Sequence, residues 1–352
     1  MKRLLILPKE IFYISMTYVG AIVGAGFATG QEVLKFFSFF GLYSILGILI
    51  ATSLFSIFGS IILLYGKKLN ASSYQEVLTY ICGTNLGKIL DFAMFIILFG
   101  VAGIMLAGAG TVFEEYLALP YNLGTILTCI LVITIVFKGI RGVITASVLL
   151  MPIMIFFGFV ISISSIMYHG VIIHTRPIPN GLITNWFLAA VLYVAYNLMV
   201  SMSVLAPLGN NIRTKKTLII GGFLGGFLIG GITLTMNLAI LAHFPQITRQ
   251  AMPMLFIGHA HSDLMMKLYC IVTWAEVILI IVANTYGNAV RLSCQDKSYY
   301  KPAVLILTIL ALFLSQLGFS YLIDHLYPVF GIVSIWFLGA LTLKVLVKIY
   351  RW

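Results

Sequence analysis

The stretch that decides the fold of this chain lies at residues 20–32 and reads Gly20-Ala21-Ile22-Val23-Gly24-Ala25-Gly26-Phe27-Ala28-Thr29-Gly30-Gln31-Glu32. Four glycines occupy eleven positions in the middle of an apolar run, and each weakens a helix by about 1 kcal/mol relative to alanine. Thr29 to Glu32 then follow the Thr-x-x-Glu spacing of a capping box, which marks a helix start. The sequence therefore predicts a discontinuous helix, with one half ending near Gly24 and the other beginning near Thr29.

Such a break has chemical consequences inside a membrane. Backbone without partners is tolerated there only where it is buried in protein or lines a polar cavity, and transporters use it to hold substrates and ions at the midplane. The amides from Gly26 to Gln31 suit a carboxylate, whereas the carbonyls of Ala21 to Gly24 suit a cation or an ammonium group. The alternative interpretation is a small-residue face for close helix packing. Glu32 is either a helix cap or a functional carboxylate at an outer gate.

The composition indicates an integral membrane protein. Of 352 residues, 61% are hydrophobic and 9% are charged, with a mean hydropathy of +1.09, whereas soluble domains carry about 25% charged residues. A peripheral protein, a nucleic-acid binder and nearly every soluble enzyme are thereby excluded. The length accommodates about ten helices of roughly 20 residues each. The predicted spans are 9–37, 41–65, 87–117, 121–137, 142–168, 184–207, 216–243, 264–292, 302–317 and 322–349.

The basic residues set the predicted orientation. With the N-terminus inside, the outer side receives only Lys35, Arg176, Arg249 and Lys267, and the remaining 17 of the 21 basic residues are cytoplasmic. This bias predicts a multi-pass protein of the bacterial plasma membrane with both termini cytoplasmic. It also accounts for the net charge of +11 by contacts with anionic lipid rather than with nucleic acid. The first apolar stretch has no cleavage site and is predicted to be retained.

Cysteine and histidine positions give no cofactor signal. The four cysteines show neither disulfide nor zinc spacing. The six histidines fall at outer helix ends, where they either sense external pH or are ordinary solvated residues. His259, His261 and Asp263 match no strong metal pattern. We predict no cofactor, apart from sodium as one candidate coupling ion.

The second half of the chain offers a counterpart to the first. One transmembrane domain over residues 1–350 divides into candidate five-helix repeats at 9–168 and 184–350, the pattern of inverted repeats. Polar residues interrupt the sixth span, where Asn197 and Ser201 share one helix face. That span has no glycine at the expected break. It is therefore either a second discontinuous helix or an intact helix that uses these residues for interhelical hydrogen bonds.

The eighth span carries a carboxylate deep in apolar sequence. A buried Glu276 is costly and is by default a functional candidate, either as a proton-coupling residue, because its protonated form costs less, or as a fixed scaffold. Asn284 and Thr285 offer oxygen ligands of the kind a hard cation prefers, although interhelical hydrogen bonding is an equal alternative. The glycines of spans three and seven indicate close-packing faces.

The stretch Gly24-Ala25-Gly26-Phe27-Ala28-Thr29-Gly30-Gln31-Glu32 resembles the signature of the YkvI-like amino acid permeases, which are placed in the amino acid–polyamine–organocation superfamily. Tyr196-Asn197 and Ala283-Asn284-Thr285 extend the resemblance. It implies an all-α fold with a five-plus-five inverted repeat, the LeuT fold, in which spans one and six line the substrate site. It also implies that spans one and eight flank a possible sodium site.

These observations predict a secondary transporter, not an enzyme, that moves a small amino acid or related amine by sodium- or proton-coupled alternating access. The alternative is a transporter-like receptor that senses an amino acid through a partner subunit without moving it; the oligomeric state is open. The predicted substrate-binding residues are Gly24, Ala25, Gly26, Phe27, Thr29, Gln31, Glu32, Tyr196, Asn197 and Ser201. The predicted ion-coupling residues are Ala21, Gly24, Glu276, Asn284 and Thr285.

Overall fold

A computed structural model of the chain describes residues 2–23, 25–170, 185–250, 252–261, 263–293 and 296–349. Within these ranges the chain is helical and contains no strand. The first set of helices, which ends at His169, contains α1 (Lys2–Ile22), α2 (Ala25–Ala28), α3 (Gln31–Phe36), α4 (Tyr43–Leu69), α5 (Tyr74–Cys82), α6 (Thr84–Thr111, continued by a π-helical turn over Val112–Tyr116), α7 (Tyr121–Val136) and α8 (Ile140–His169). The second set contains α9 (Trp186–Asn211), α10 (Lys215–Ala242), α11 (Pro253–His261), α12 (Asp263–Leu292), α13 (Tyr300–Ser315) and α14 (Phe319–Ile349).

The prediction of a ten-span, all-α membrane fold is confirmed. Eight of the described helices are long and apolar enough to cross a membrane, and α7 is a shorter apolar helix. The broken segment α1 to α3 accounts for the remaining predicted span. Two short helices, α5 and α11, were not predicted. They occupy corresponding places, since α5 joins the second span to the third and α11 joins the seventh to the eighth.

The helices pack as two groups. In one group, α4 and α1 both pack against α9 and α10, and the other group comprises α6, α7, α12 and α13. The helix α8 packs against α1, α10 and α12, while α14 packs against α9 and α6. The broken span therefore lies between the two groups, because it also contacts α12.

Glycines allow the first group to pack closely. A Cβ atom at Gly226 or Gly230 of α10 would overlap Ser56 or Thr52 of α4. On the next face of α10, a Cβ at Gly221 would lie 2.7 Å from Ile14 of α1. The prediction that the glycines of the seventh span form a packing face is thus confirmed at these positions, as expected for helices that associate in lipid through small residues.

Candidate functional site at the break in the first span

The predicted break is present. Helix α1 ends at Ile22, the one-turn helix α2 follows from Ala25, and α3 begins at Gln31. Gly30 makes the second bend because its φ of 80° lies in the left-handed region, which only glycine adopts at little cost. Gly24 lies outside the described residues. The helix of the first span is thus interrupted twice, in a region where a continuous helix would pair all of its backbone N–H and C=O groups.

The predicted capping box is wrong. Gly30, and not Thr29, precedes α3, and the N-cap has no side chain that could bond to the first turn. The carbonyl of Thr29 instead accepts a hydrogen bond from the backbone N–H of Met254, at 2.8 Å. A contact from α11, more than two hundred residues away, therefore fixes the backbone of Thr29 beside the break. Glu32 lies in the first turn of α3 and is only 7% exposed, and its role at an outer gate stays a prediction.

Helix α12 provides the polar face opposite the break. The hydroxyl of Tyr269 donates a hydrogen bond to the carbonyl of Ala28, at 2.7 Å. Thr273 and Glu276 follow on the same side of α12, since spacings of four and three residues keep side chains on one helix face. At 1.5 Å per residue, Glu276 lies about 10 Å further along α12 than Tyr269, on a helix that contacts both α1 and α2.

Glu276 is the most unusual group at this depth. It is 1% exposed, and neither of its carboxylate oxygens has a hydrogen-bond partner among the residues that the structure describes. The hydroxyl of Thr273 and the hydroxyl of Thr17, on the facing helix α1, are likewise buried without such a partner there. Buried polar groups are normally bonded, so the carboxylate of Glu276 in particular needs a partner from outside the described residues.

Asn284 and Thr285 are both buried on α12. They lie two turns further along α12 than Glu276, about 12 Å in depth. Their neighbour Gly287 packs on Ser203 of α9, and the amide of Asn288 donates to the carbonyl of Phe95 on α6. The ion-binding role of these two residues together with Ala21 stays a prediction.

The sixth span is not discontinuous, and the expectation of a second break is wrong. Helix α9 runs without interruption from Trp186 to Asn211. The side chain of Asn197 donates to the carbonyl of Tyr193, at 3.0 Å, and Ser201 donates to the carbonyl of Leu198, at 3.1 Å. These bonds stay within the helix. Because no glycine lies near the middle of α9, its backbone keeps the regular helical hydrogen bonds.

An aromatic cluster borders the site next to α3. The ring of Tyr193 lies 5.4 Å from that of Phe36 and 5.1 Å from that of Phe37, just after the break, and 5.8 Å from that of Phe55 on α4. One turn further along α9, Tyr196 stacks on Phe330 of α14. The predicted residues Tyr196, Asn197 and Ser201 are all buried. They therefore line the protein interior beside the broken span.

One residue of the site, Tyr269, was not predicted from the sequence. Tyr269 precedes Glu276 by seven residues, a spacing that keeps both on one face, so this heptad relation was the available signal. No group of three potential metal ligands occurs among the described residues, and the side chains of His261 and Asp263 lie outside them. The rings of His169 and His243 are 4.4 Å apart, at the C-terminal ends of α8 and α10.

Sequence comparison finds two relatives in Bacillus subtilis (strain 168). The chain is 32% identical to the uncharacterized membrane protein YkvI over 336 residues, which cover 94% of this chain and 95% of YkvI. It is 25% identical over 325 residues to the uncharacterized protein YyaD, with 92% and 94% coverage. No protein-family model matches the chain.

Solved structures share the fold at low sequence identity. MhsT in complex with L-phenylalanine matches with a TM-score of 0.71 and 14% identity, covering 93% of this chain and 86% of MhsT. Mhp1, a nucleobase-cation-symport-1 family transporter, matches at 0.63 and 13%, with 92% and 77% coverage. A Na⁺-coupled sialic acid symporter matches at 0.62 and 11%, with 94% and 78% coverage. The likeness shows the fold of this chain, a LeuT-like helical membrane fold.

Proposed function

We propose that this chain, which belongs to the family of the membrane protein YkvI of Bacillus subtilis, is a secondary active transporter of a small amino acid or related amine. One observation carries the proposal: the broken first span faces a buried carboxylate, Glu276, whose oxygens have no partner among the described residues. The fold shared with MhsT, Mhp1 and a sialic acid symporter supports it. The further assignment to the amino acid–polyamine–organocation superfamily is part of the same proposal.

The substrate carboxylate would bind at the amides between Gly24 and Phe27. Amides at the start of a helical segment carry partial positive charge and attract anions. The ammonium group would lie near the carbonyls at the end of α1 and near the amide oxygen of Asn197, whose Nδ2 already donates within α9. Because α9 is unbroken, it contributes side chains rather than backbone carbonyls.

The coupling ion would bind beside Glu276. An ionised carboxylate at this depth costs several kcal/mol unless it is neutralised, and a proton or a sodium ion supplies that neutralisation. Ala21 lies on α1, which α12 contacts, and carbonyl and carboxylate oxygens are the ligands of hard cations. This arrangement fits either sodium or a proton as the coupling ion, and uptake under separate sodium and pH gradients distinguishes the two.

The two-group packing supports alternating access. The break belongs to the group with α4, α9 and α10, whereas Glu276 belongs to the group with α6, α7 and α13. An ion or substrate held between them would therefore change how the groups fit together, which is the requirement for a ligand to shift a conformational equilibrium. On the other side of the break, α11 covers Gly30, with Met254 and Pro253 close to it.

The test is uptake of a panel of labelled amino acids and amines into proteoliposomes, with sodium and pH gradients imposed separately. Accumulation driven by one gradient, absent from protein-free liposomes, would support the proposal and identify the ion. Ligand binding without uptake under either gradient would refute transport and favour a receptor that signals through a partner. The proposed cytoplasmic position of both termini is checked in the same preparation by protease access to terminal tags.

A further inference from the structure

A pair of lysines from two different helices shares one tyrosine ring at the end of the molecule that carries most of the basic residues. The ammonium group of Lys68, in the last turn of α4, lies 4.8 Å from the centre of the Tyr80 ring and donates a hydrogen bond to its hydroxyl, at 2.9 Å. The ammonium group of Lys344, on α14, lies 4.5 Å from the same ring centre. Tyr80 itself belongs to α5. We call Lys68, Tyr80 and Lys344 the lysine–tyrosine cluster.

The cluster holds two positive charges without an acidic partner. Two points at these distances from one ring centre are at most roughly 9 Å apart, so the charges repel within about one Debye length. Neither lysine forms an ion pair with an acidic side chain in the part of the chain that the structure describes. The aromatic ring attracts both cations but does not neutralise them.

The nearby acidic side chains are bonded elsewhere. Glu76 of α5 accepts hydrogen bonds from Ser72 and Ser73 as part of a capping box. Although burial raises it, these bonds hold the pKa of the Glu76 carboxyl below its usual value, which keeps it ionised and bound to its own helix start. Asp91 of α6 pairs with Arg291, at 2.9 Å. The cluster is therefore open to an anion from outside the chain.

The position of the cluster identifies the anion. Next to Lys344, the apolar side chains of Leu343 and Val347 are 65% and 52% exposed, as expected of a surface that meets acyl chains. Lysines at such a boundary extend their ammonium groups towards the headgroup layer, and basic pockets between helices on this side recognise anionic lipids. The neighbouring α9–α10 connection adds Arg213, Lys215 and Lys216.

We propose that the lysine–tyrosine cluster binds the phosphodiester headgroup of an anionic phospholipid, with the acyl chains lying along α14 beside Leu343 and Val347. The phosphate lies between the two ammonium groups, and the tyrosine ring sets their spacing. Because Lys68 belongs to α4 and Lys344 to α14, the bound lipid joins two helices that make separate contacts within the fold. This site is independent of the transport proposal, since it lies at the membrane surface and not at the break.

Thermal unfolding of the detergent-purified full chain tests the site. The protein is titrated with phosphatidylglycerol, with phosphatidylcholine and with free glycerol phosphate, and the midpoint temperature is followed. Each lysine near an anionic surface contributes about five-fold in affinity. The variant Lys68→Gln/Lys344→Gln should therefore need about 30-fold more phosphatidylglycerol for the same shift. The matched control is Lys301→Gln, because Lys301 also lies over a single aromatic ring, that of Phe137.

The expected result is stabilisation by phosphatidylglycerol alone, with the titration moved to about 30-fold higher lipid in the double glutamine variant and unchanged in Lys301→Gln. A Lys68→Arg/Lys344→Arg variant should retain the response, which guards against a double glutamine variant that folds poorly. An equal shift with phosphatidylcholine, or an unchanged titration in the double glutamine variant, would overturn the proposal. An equal shift with glycerol phosphate would also overturn it, by showing a site for soluble phosphate instead of lipid.

Discussion

The first and sixth spans both carry polar residues in the middle of an apolar run, yet only the first is broken. The first contains four glycines between residues 20 and 30, and Gly30 adopts a left-handed conformation. The sixth contains Asn197 and Ser201, whose side chains bond to carbonyls of their own helix. Polar side chains alone therefore do not interrupt a membrane helix, because they can form hydrogen bonds with carbonyls of that helix. A break also needs glycines, which adopt the non-helical backbone conformations at little cost.

The largest expected effect comes from the carboxylate that faces the broken span and has no counterpart in α9. Glu276→Gln keeps the shape of the side chain but removes its charge. If Glu276 binds the coupling ion, gradient-driven accumulation in proteoliposomes should fall to the level of protein-free liposomes. Glu115→Gln, at the outer end of α6, is the control and should accumulate substrate normally. Undiminished accumulation by Glu276→Gln would remove Glu276 from the coupling site.

The next effect concerns the left-handed glycine that ends the break. Gly30 and Gly83 both have positive φ values, 80° and 77°, but their ψ values differ, at 0° and 179°. An alanine costs about 1–2 kcal/mol in backbone strain at Gly30 and about 1–3 kcal/mol at Gly83, whose conformation essentially only glycine adopts. A Cβ at Gly30 would also lie 2.8 Å from Cγ of Met254, whereas a Cβ at Gly83 meets no described atom within 4 Å. Both variants should therefore lose stability, and only Gly30→Ala should also disturb the contact between the break and α11.

Thermal unfolding of both glycine variants in detergent measures the loss of stability. Substrate uptake into proteoliposomes measures the loss of transport. Gly30→Ala should lose most of its transport because it displaces α11 from the break, and Gly83→Ala should keep it. Equal losses of transport in both variants would mean that only backbone strain matters at Gly30 and that the contact with α11 does not hold the break in place.

The two spans also show which features of the fold can be predicted from the sequence and which cannot. The glycine spacing predicted the break because backbone preference is local, and the apolar runs predicted the spans because lipid requires them. The capping box at Thr29 failed because Gly30, in a left-handed conformation, directly precedes α3, so that Thr29 lies one residue too early to act as its N-cap. Helices α5 and α11 were missed because they are nine residues each, shorter than a membrane crossing. The pairing of Tyr269 with Ala28 depends on packing between helices, which one sequence does not record.

A smaller effect, on the KM for substrate, should distinguish the two asparagines Asn197 and Asn211 of the unbroken helix α9. Asn197 and Asn211 each donate Nδ2 to the carbonyl four residues earlier, at 3.0 and 2.8 Å. Alanine at either removes one such bond, so both variants should lose about 1 kcal/mol of stability. Only Asn197 lies one turn from the aromatic cluster beside the break. Asn197→Ala should therefore raise the KM for substrate by about ten-fold, and Asn211→Ala should leave it unchanged. Equal KM values would restrict Asn197 to a structural role in α9.

The smallest effect tests the hydrogen bond that joins α12 to the broken span. Tyr269 and Tyr300 each donate to a backbone carbonyl at 2.7 Å, that of Ala28 and that of Val136. Phenylalanine at either should cost about 1 kcal/mol of stability, measured by thermal unfolding. The carbonyl of Val136 ends a regular helix, whereas that of Ala28 ends the one-turn helix inside the break. Tyr269→Phe alone should therefore slow uptake, by a few-fold. If both variants transport normally, the two helix groups are held at the break by contacts other than this bond, and Glu276 becomes the main link between them.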